Sequence, residues 1–175
     1  MILAQMDSQI QLKYGWNLQA APRVEAFIRE DVDEIYWGAT VHAKANYNSS
    51  HGKGDFIEGL WKLDALELFV RDLDSSFYQE FNLSPTGAYW SAVFRDARVP
   101  ADRHEREFKE IDINSKHDDI SWTVSMRVSK SQLGIDSSNL LINMTAVLNT
   151  IAEPCYLSKL PVVSEKPDFH AVVFA

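Results

Sequence analysis

Residues 120–128 read ISWTVSMRV, and their order decides the fold. Ile120, Trp122, Val124, Met126 and Val128 alternate with Ser121, Thr123, Ser125 and Arg127. A period of two is the strand period, because successive side chains of an extended chain point to opposite faces. The same alternation returns downstream in residues 140–149, LLINMTAVLN. There Leu140, Ile142, Met144, Ala146 and Leu148 oppose Asn143, Thr145 and Asn149. Upstream it recurs over Val24 to Glu30, Ile35 to Lys44, Asp64 to Val70 and Phe77 to Leu83. Ala88 to Val99 is aromatic and β-branched throughout. These are seven or eight strands, several with one oily and one polar face. Such faces suit antiparallel sheets that pack oily side to oily side. The expectation is an all-β, two-sheet antiparallel β-sandwich of the jelly-roll or immunoglobulin-like kind. Helix is scarce: Ser129 to Gly134 predicts one turn, capped by Ser129 and stopped by Gly134.

Punctuation between the strands agrees with this. Ser84-Pro85-Thr86-Gly87 predicts a tight turn joining the Phe77 strand to the Ala88 strand. Asn46 to Gly54, NYNSSHGKG, is dense in turn formers and reads as a loop. Arg98 to Lys109 alternates basic residues with Asp102, Glu105 and Glu107 and also reads as a solvated loop. Neither loop is long enough to separate domains, so residues 1–175 are expected to form a single one.

Composition narrows the partners. Seventeen Lys and Arg stand against twenty-five Asp and Glu, a net charge of −8. A nucleic-acid partner is disfavoured, since phosphate binding relies on clustered cations. Cys155 is the sole cysteine, so neither an internal disulfide nor a cysteine-based zinc site is available. No run approaches the roughly 20 apolar residues that span a bilayer. Met1 to Gln19 shows no basic start followed by an apolar run, so no signal peptide is read there and a cytoplasmic location is expected.

The candidate functional residues lie on the polar faces. Glu67 opposes Leu66, Leu68 and Val70, while Tyr78, Glu80 and Asn82 oppose Phe77, Phe81 and Leu83. If the two strands are neighbours, Glu67 and Glu80 share one face. Residues directly opposite in an antiparallel pair stand about 4.5–5.5 Å apart. Two carboxylates so placed repel unless a cation, a hydroxyl-rich ligand or an arginine binds them. Arg95, Arg127, Asn143 and Thr145 are candidates for the rest of that face. Sugars suit it, because their hydroxyls need paired donors and acceptors and their ring faces stack on Trp or Tyr. Trp37 and Trp122 share the phase of core positions. Trp61 follows a Gly-containing loop, and Trp90 follows the Gly87 turn. The plainer alternative is a solvated outer face with incidental charges.

Leu60 to Val70, LWKLDALELFV, followed by Tyr78 to Gly87, YQEFNLSPTG, resembles the DOMON-like domains related to family 9 carbohydrate-binding modules. TAVL at 145–148, Cys155-Tyr156-Leu157 and KPDFH at 166–170 resemble the closing segments of the same family. The resemblance spans about residues 58–170. It implies a jelly-roll-like sandwich with non-catalytic binding, and it points to Trp61, Glu67, Glu80, Asn82, Tyr156 and His170. Asp64 departs from the small or thiol-bearing residue usual before the acidic strand. The KPDFH segment runs straight into an apolar AVVFA end.

Three rival chemistries compete. Glu67 and Glu80 are candidates for the acid and base of a glycosidase, whose carboxyls stand about 5–5.5 Å or about 6.5–9.5 Å apart. No Ser-His-Asp order supports other chemistry, and SSHGKG lacks the strand and helix context of a phosphate loop. Haem, bound by some DOMON relatives, needs axial ligands such as Met and His. Met126 and Met144 share the oily phase, and His170 is the one histidine near a family motif. Calcium would take hard oxygen ligands from Asp72 and Asp74, or from Asp112, Asn114, Asp118 and Asp119, although neither spacing is an EF-hand loop. The expectation is a binding module for a carbohydrate or similar polyhydroxylated ligand, with no obligate cofactor. Trp61, and secondarily Trp90 or Tyr156, would stack on the ring. Glu67, Tyr78, Glu80, Asn82, Arg95, Asn143, Tyr156 and His170 complete the predicted site.

Overall fold

A computed structural model describes residues 9–135, 139–149 and 153–174. Residues 1–8 of the stretch read for a targeting signal lie outside it. Among the described residues twelve strands follow in chain order: β1 (Gln9–Ile10), β2 (Tyr14–Trp16), β3 (Val24–Glu30), β4 (Glu34–Val41), β5 (Ala65–Asp72), β6 (Tyr78–Leu83), β7 (Tyr89–Asp96), β8 (Val99–Glu105), β9 (Asp112–His117), β10 (Trp122–Ser129), β11 (Leu140–Leu148) and β12 (Cys155–Ser158). A four-residue helix, α1 (Phe169–Val172), follows them. One sheet has five strands in the order β1-β3-β4-β10-β9, and the other has seven, in the order β2-β12-β11-β5-β6-β7-β8. Every strand pair is antiparallel. The chain is the expected sandwich.

The oily phase read from the sequence faces inward. Trp37, Val41, Trp122, Val124 and Met126 from the five-stranded sheet are buried against Leu66, Leu68, Phe81, Met144 and Leu148 from the other. Apolar area removed from water is the main favourable contribution here. The Ser84–Gly87 turn forms as expected. Gly87 adopts φ 84°, and its N–H donates to the Ser84 carbonyl at 2.9 Å. A positive φ costs little only without a Cβ. The capped turn also forms, as a short 3-10 helix over Lys130–Gln132 in which Ser129 and Gln132 cap reciprocally.

Two expectations require correction. The charged stretch 98–109 is not all loop, because Val99–Glu105 pairs with β7 as the edge strand β8. It stays largely exposed, and charges of both signs are a common way to keep an edge from pairing further. More consequentially, the outer face of the seven-stranded sheet is not solvated at its centre. β6 is buried at every position, and β5 at all but one. A second apolar cluster joins Phe69, Tyr78, Trp90 and Phe94 to Phe169, Val172 and Val173 of the C-terminal segment. The apolar end that follows KPDFH is the cover.

Candidate functional site

The ladder registers settle which side chains share the outer face. Glu67 pairs with Asn82, Phe69 with Glu80 and Arg71 with Tyr78 across β5 and β6. Asn82 then pairs with Trp90 and Tyr78 with Phe94 on β7, while Thr145 of β11 pairs with Glu67. Glu67 and Glu80 are therefore diagonal rather than direct neighbours. Diagonal positions lie about 7–8 Å apart.

α1 docks over one end of this face. Asp168 caps it, its Oδ1 accepting the Ala171 N–H at 3.2 Å. The Asp168 carboxylate also holds Arg98, with Nη2 to Oδ1 at 2.9 Å and Nε to Oδ2 at 3.3 Å. Arg98 sits at φ 58° in the β7–β8 turn, and its backbone N–H donates to the Tyr78 hydroxyl at 3.2 Å. That hydroxyl lies 2.6 Å from Nδ1 of His170. Helix, turn and sheet are thus fastened at one corner.

Beside that corner opens a cavity of about 400 Å³. Glu67 and Glu80 lie on its floor, each only 4% exposed. Trp61, Trp90, Phe94, Tyr156 and Phe169 supply aromatic wall, and Arg98, His104 and Asp168 stand at its polar side. Trp61 comes from a 3-10 turn, Leu60–Lys62, entered through Gly59 at φ 84°. It is 36% exposed and meets Trp90 edge-on, with ring centroids 5.7 Å apart. The Trp90 indole is oriented by Glu105 Oε1, which accepts its N–H at 3.1 Å.

Burial dominates the electrostatics of the floor. Glu67 Oε2 accepts the Thr145 hydroxyl at 2.9 Å, and Oε1 has no hydrogen bond among the described residues. Glu80 Oε1 accepts the Asn82 amide at 2.7 Å, and its Oε2 lies 3.6 Å from Nε2 of His170. Desolvation holds both carboxyls well above the usual range, and the charge of Glu80 raises Glu67 further. Desolvation likewise pulls His170 down to about 4, with Arg98 adding in the same direction.

Of the predicted residues, Trp61, Glu67, Glu80, Tyr156 and His170 come together around the cavity. Tyr78 and Asn82 lie behind them as supports, bonded to His170 and Glu80. Two do not belong. Arg95 is exposed on the opposite parity of β7, beside Val93 and Phe77. Asn143 is fully buried, and its Oδ1 accepts the Leu160 N–H at 3.1 Å and the Ser158 hydroxyl at 3.2 Å. The arginine that lines the cavity is Arg98, which the sequence places in a loop. Parity counted along β7 would have excluded Arg95, but nothing local announces the turn that aims Arg98.

The rival ligand sets fall apart in space. Met126 and Met144 are core residues. Asp112 holds Arg127, Asp119 holds Lys44, and Asp118 accepts the N–H groups of Ile120 and Ser121. Asp72 Oδ1 accepts the Asp74 N–H. Among the described residues no group of three His, Cys, Asp or Glu converges to hold a metal ion.

No family model matches the chain, and no curated protein does. Solved structures do. A protein from Bacteroides uniformis, provisionally described as carbohydrate-binding, superposes with a TM-score of 0.70 at 16% identity, over 95% of this chain and 82% of its own. A family 9 carbohydrate-binding module from Caldicellulosiruptor kristjanssonii, in complex with cellotriose, gives 0.51 at 12% identity, over 79% and 70%. The chain shares the sandwich fold of these two structures. At these identities the likeness is one of fold, and the site is argued from its own chemistry.

Proposed function

We propose that this chain is a non-catalytic carbohydrate-binding module and that its saccharide sits in the cavity on the outer face of the seven-stranded sheet. One observation carries the reading: an exposed Trp61 stands against Trp90 beside two buried glutamates in a cavity of about 400 Å³. Ligand pockets run about 300–1,000 Å³, mostly apolar with a few placed polar groups. A sugar ring has the matching duality of apolar face and polar rim. Trp61 stacks on the ring, and Glu67 and Glu80 bond its hydroxyls. The fold shared with a module solved in complex with cellotriose supports the reading, as does the family resemblance of residues 60–87.

The test is tryptophan fluorescence and melting temperature against mono- and oligosaccharides, cellotriose included. A saturable shift that disappears in Trp61→Ala and weakens at least tenfold in Glu80→Gln is expected. A flat response across the panel would remove the reading. Hydrolysis of nitrophenyl glycosides, lost in Glu80→Gln, would replace binding with catalysis, and a Soret band in fresh protein would replace it with haem.

A further inference from the structure

Resting on that reading, we propose that the saccharide selected is an aminated one, whose ammonium group lies between Glu67 and Glu80. The floor is acidic without a cation to match. Four carboxyl groups line the cavity, those of Glu58, Glu67, Glu80 and Asp168, and no lysine does. Arg98 lines it too, but its guanidinium is held twice by Asp168. Glu67 offers Oε1 with no hydrogen bond, and the second contact of Glu80 is a histidine nitrogen at 3.6 Å. A buried carboxylate with so few donors is costly.

An ammonium group answers this in both charge and geometry. Charge-assisted N–H···O bonds measure about 2.7–2.9 Å, so one nitrogen bridging two carboxylates spans roughly 5.5–6 Å between oxygens. Glu67 and Glu80, as diagonal ladder neighbours about 7–8 Å apart, are within that reach. The aromatic walls act in the same sense, because ring faces attract cations and repel anions. A hydroxyl at the same position bonds one carboxyl and displaces no proton from the pair. The upward shift of both carboxyls fits this, since an arriving cation then displaces a proton from the pair.

Three trisaccharides with one β-1,4 glucose backbone separate the alternatives: cellotriose, the fully N-acetylated chitotriose and the fully deacetylated chitotriose. Titration calorimetry at pH 6.5, in two buffers of different ionisation enthalpy, reads both affinity and proton release. We expect the deacetylated trimer to bind at least tenfold more tightly than cellotriose, with protons released only for the amine. The ratio should shrink as salt rises and approach one in Glu67→Gln/Glu80→Gln. Equal or tighter binding of cellotriose, or of the acetylated trimer, would overturn the amine preference and leave carbohydrate binding standing. A preference that survives in the folded double variant would trace to the −8 net charge and overturn it as well. No binding by any trimer at millimolar concentration would remove both readings. Should the double variant fail to fold, the wild-type affinity order and proton release decide alone.

Discussion

Glu67 faces Asn82, not Glu80, across the β5–β6 ladder. The Asn82 amide donates to Glu80 at 2.7 Å, while the carboxyl of Glu67 accepts from Thr145 on the other neighbouring strand. The strand register fixes the spacing of the two acids, and the Asn82 amide orients one of them.

Stability should fall as pH rises above 6.5. Both glutamates have folded values raised above the ordinary 4.5, so the native state holds protons that the unfolded chain releases. Their contribution is complete below about 4.5 and is lost as pH climbs through the raised values. His170 works oppositely, because a folded value near 4 against 6.5 favours the native state above 6.5 and loses that contribution on acidification toward 4. The two effects oppose each other between about 4 and 6.5, and above that window the glutamates act alone. Melting from pH 6.5 to 8.5 should show the decline, and Glu67→Gln should flatten it and raise the melting temperature at pH 8 by about 2–8 °C, corresponding to roughly 1–2 kcal/mol. A steeper decline in Glu67→Gln would contradict the assigned direction.

Trp61 and Trp90 should differ sharply on mutation. Trp61 is exposed and Trp90 buried, so Trp61→Ala should cost at most about 1 kcal/mol of stability while removing ligand response. Trp90→Ala should cost about 3–5 kcal/mol. Urea denaturation alongside fluorescence titration reads both quantities.

Phe169→Ala should also destabilise, by about 3–5 kcal/mol, because this ring packs on Trp16, Phe69 and Tyr156. It should weaken saccharide binding in the same protein, since the ring belongs to the cavity wall. Unchanged affinity would mean that the helix covers the sheet without shaping the site.

Arg95→Ala and Arg98→Ala form a paired control. Removing Arg95 should leave affinity within twofold of wild type. Removing Arg98 should reduce it several-fold, through loss of the Asp168 clamp at the rim. The reverse order in a titration would return the site to the face expected from sequence alone.

The sandwich was legible because its strands carry a period of two and turn formers sit between them. Val24–Glu30 matches β3 end to end, and Trp37 and Trp122 lie in the core as their phase requires. Five residues that line the cavity, Trp61, Glu67, Glu80, Tyr156 and His170, were legible by the same alternation or by the family resemblance. The covered outer face was not. Its polar residues read as solvated because alternation reports which side a residue takes, never what lies over that side. The cover arrives about 90 residues later in sequence, from Phe169 onward. Arg98 was missed for a related reason: its aim is set by a positive-φ turn and by a contact 70 residues away.

On β5 and β6 the cavity and the core belong to alternate residues of the same two strands. Positions 67, 69, 80 and 82 serve the cavity side, and 66, 68, 81 and 83 serve the interior. Ligand preference can therefore drift through substitutions at every second residue while the packing of the sandwich is inherited unchanged. A single-residue insertion within either strand would exchange the two roles at once, so such lineages should tolerate replacement here far better than they tolerate a change in length.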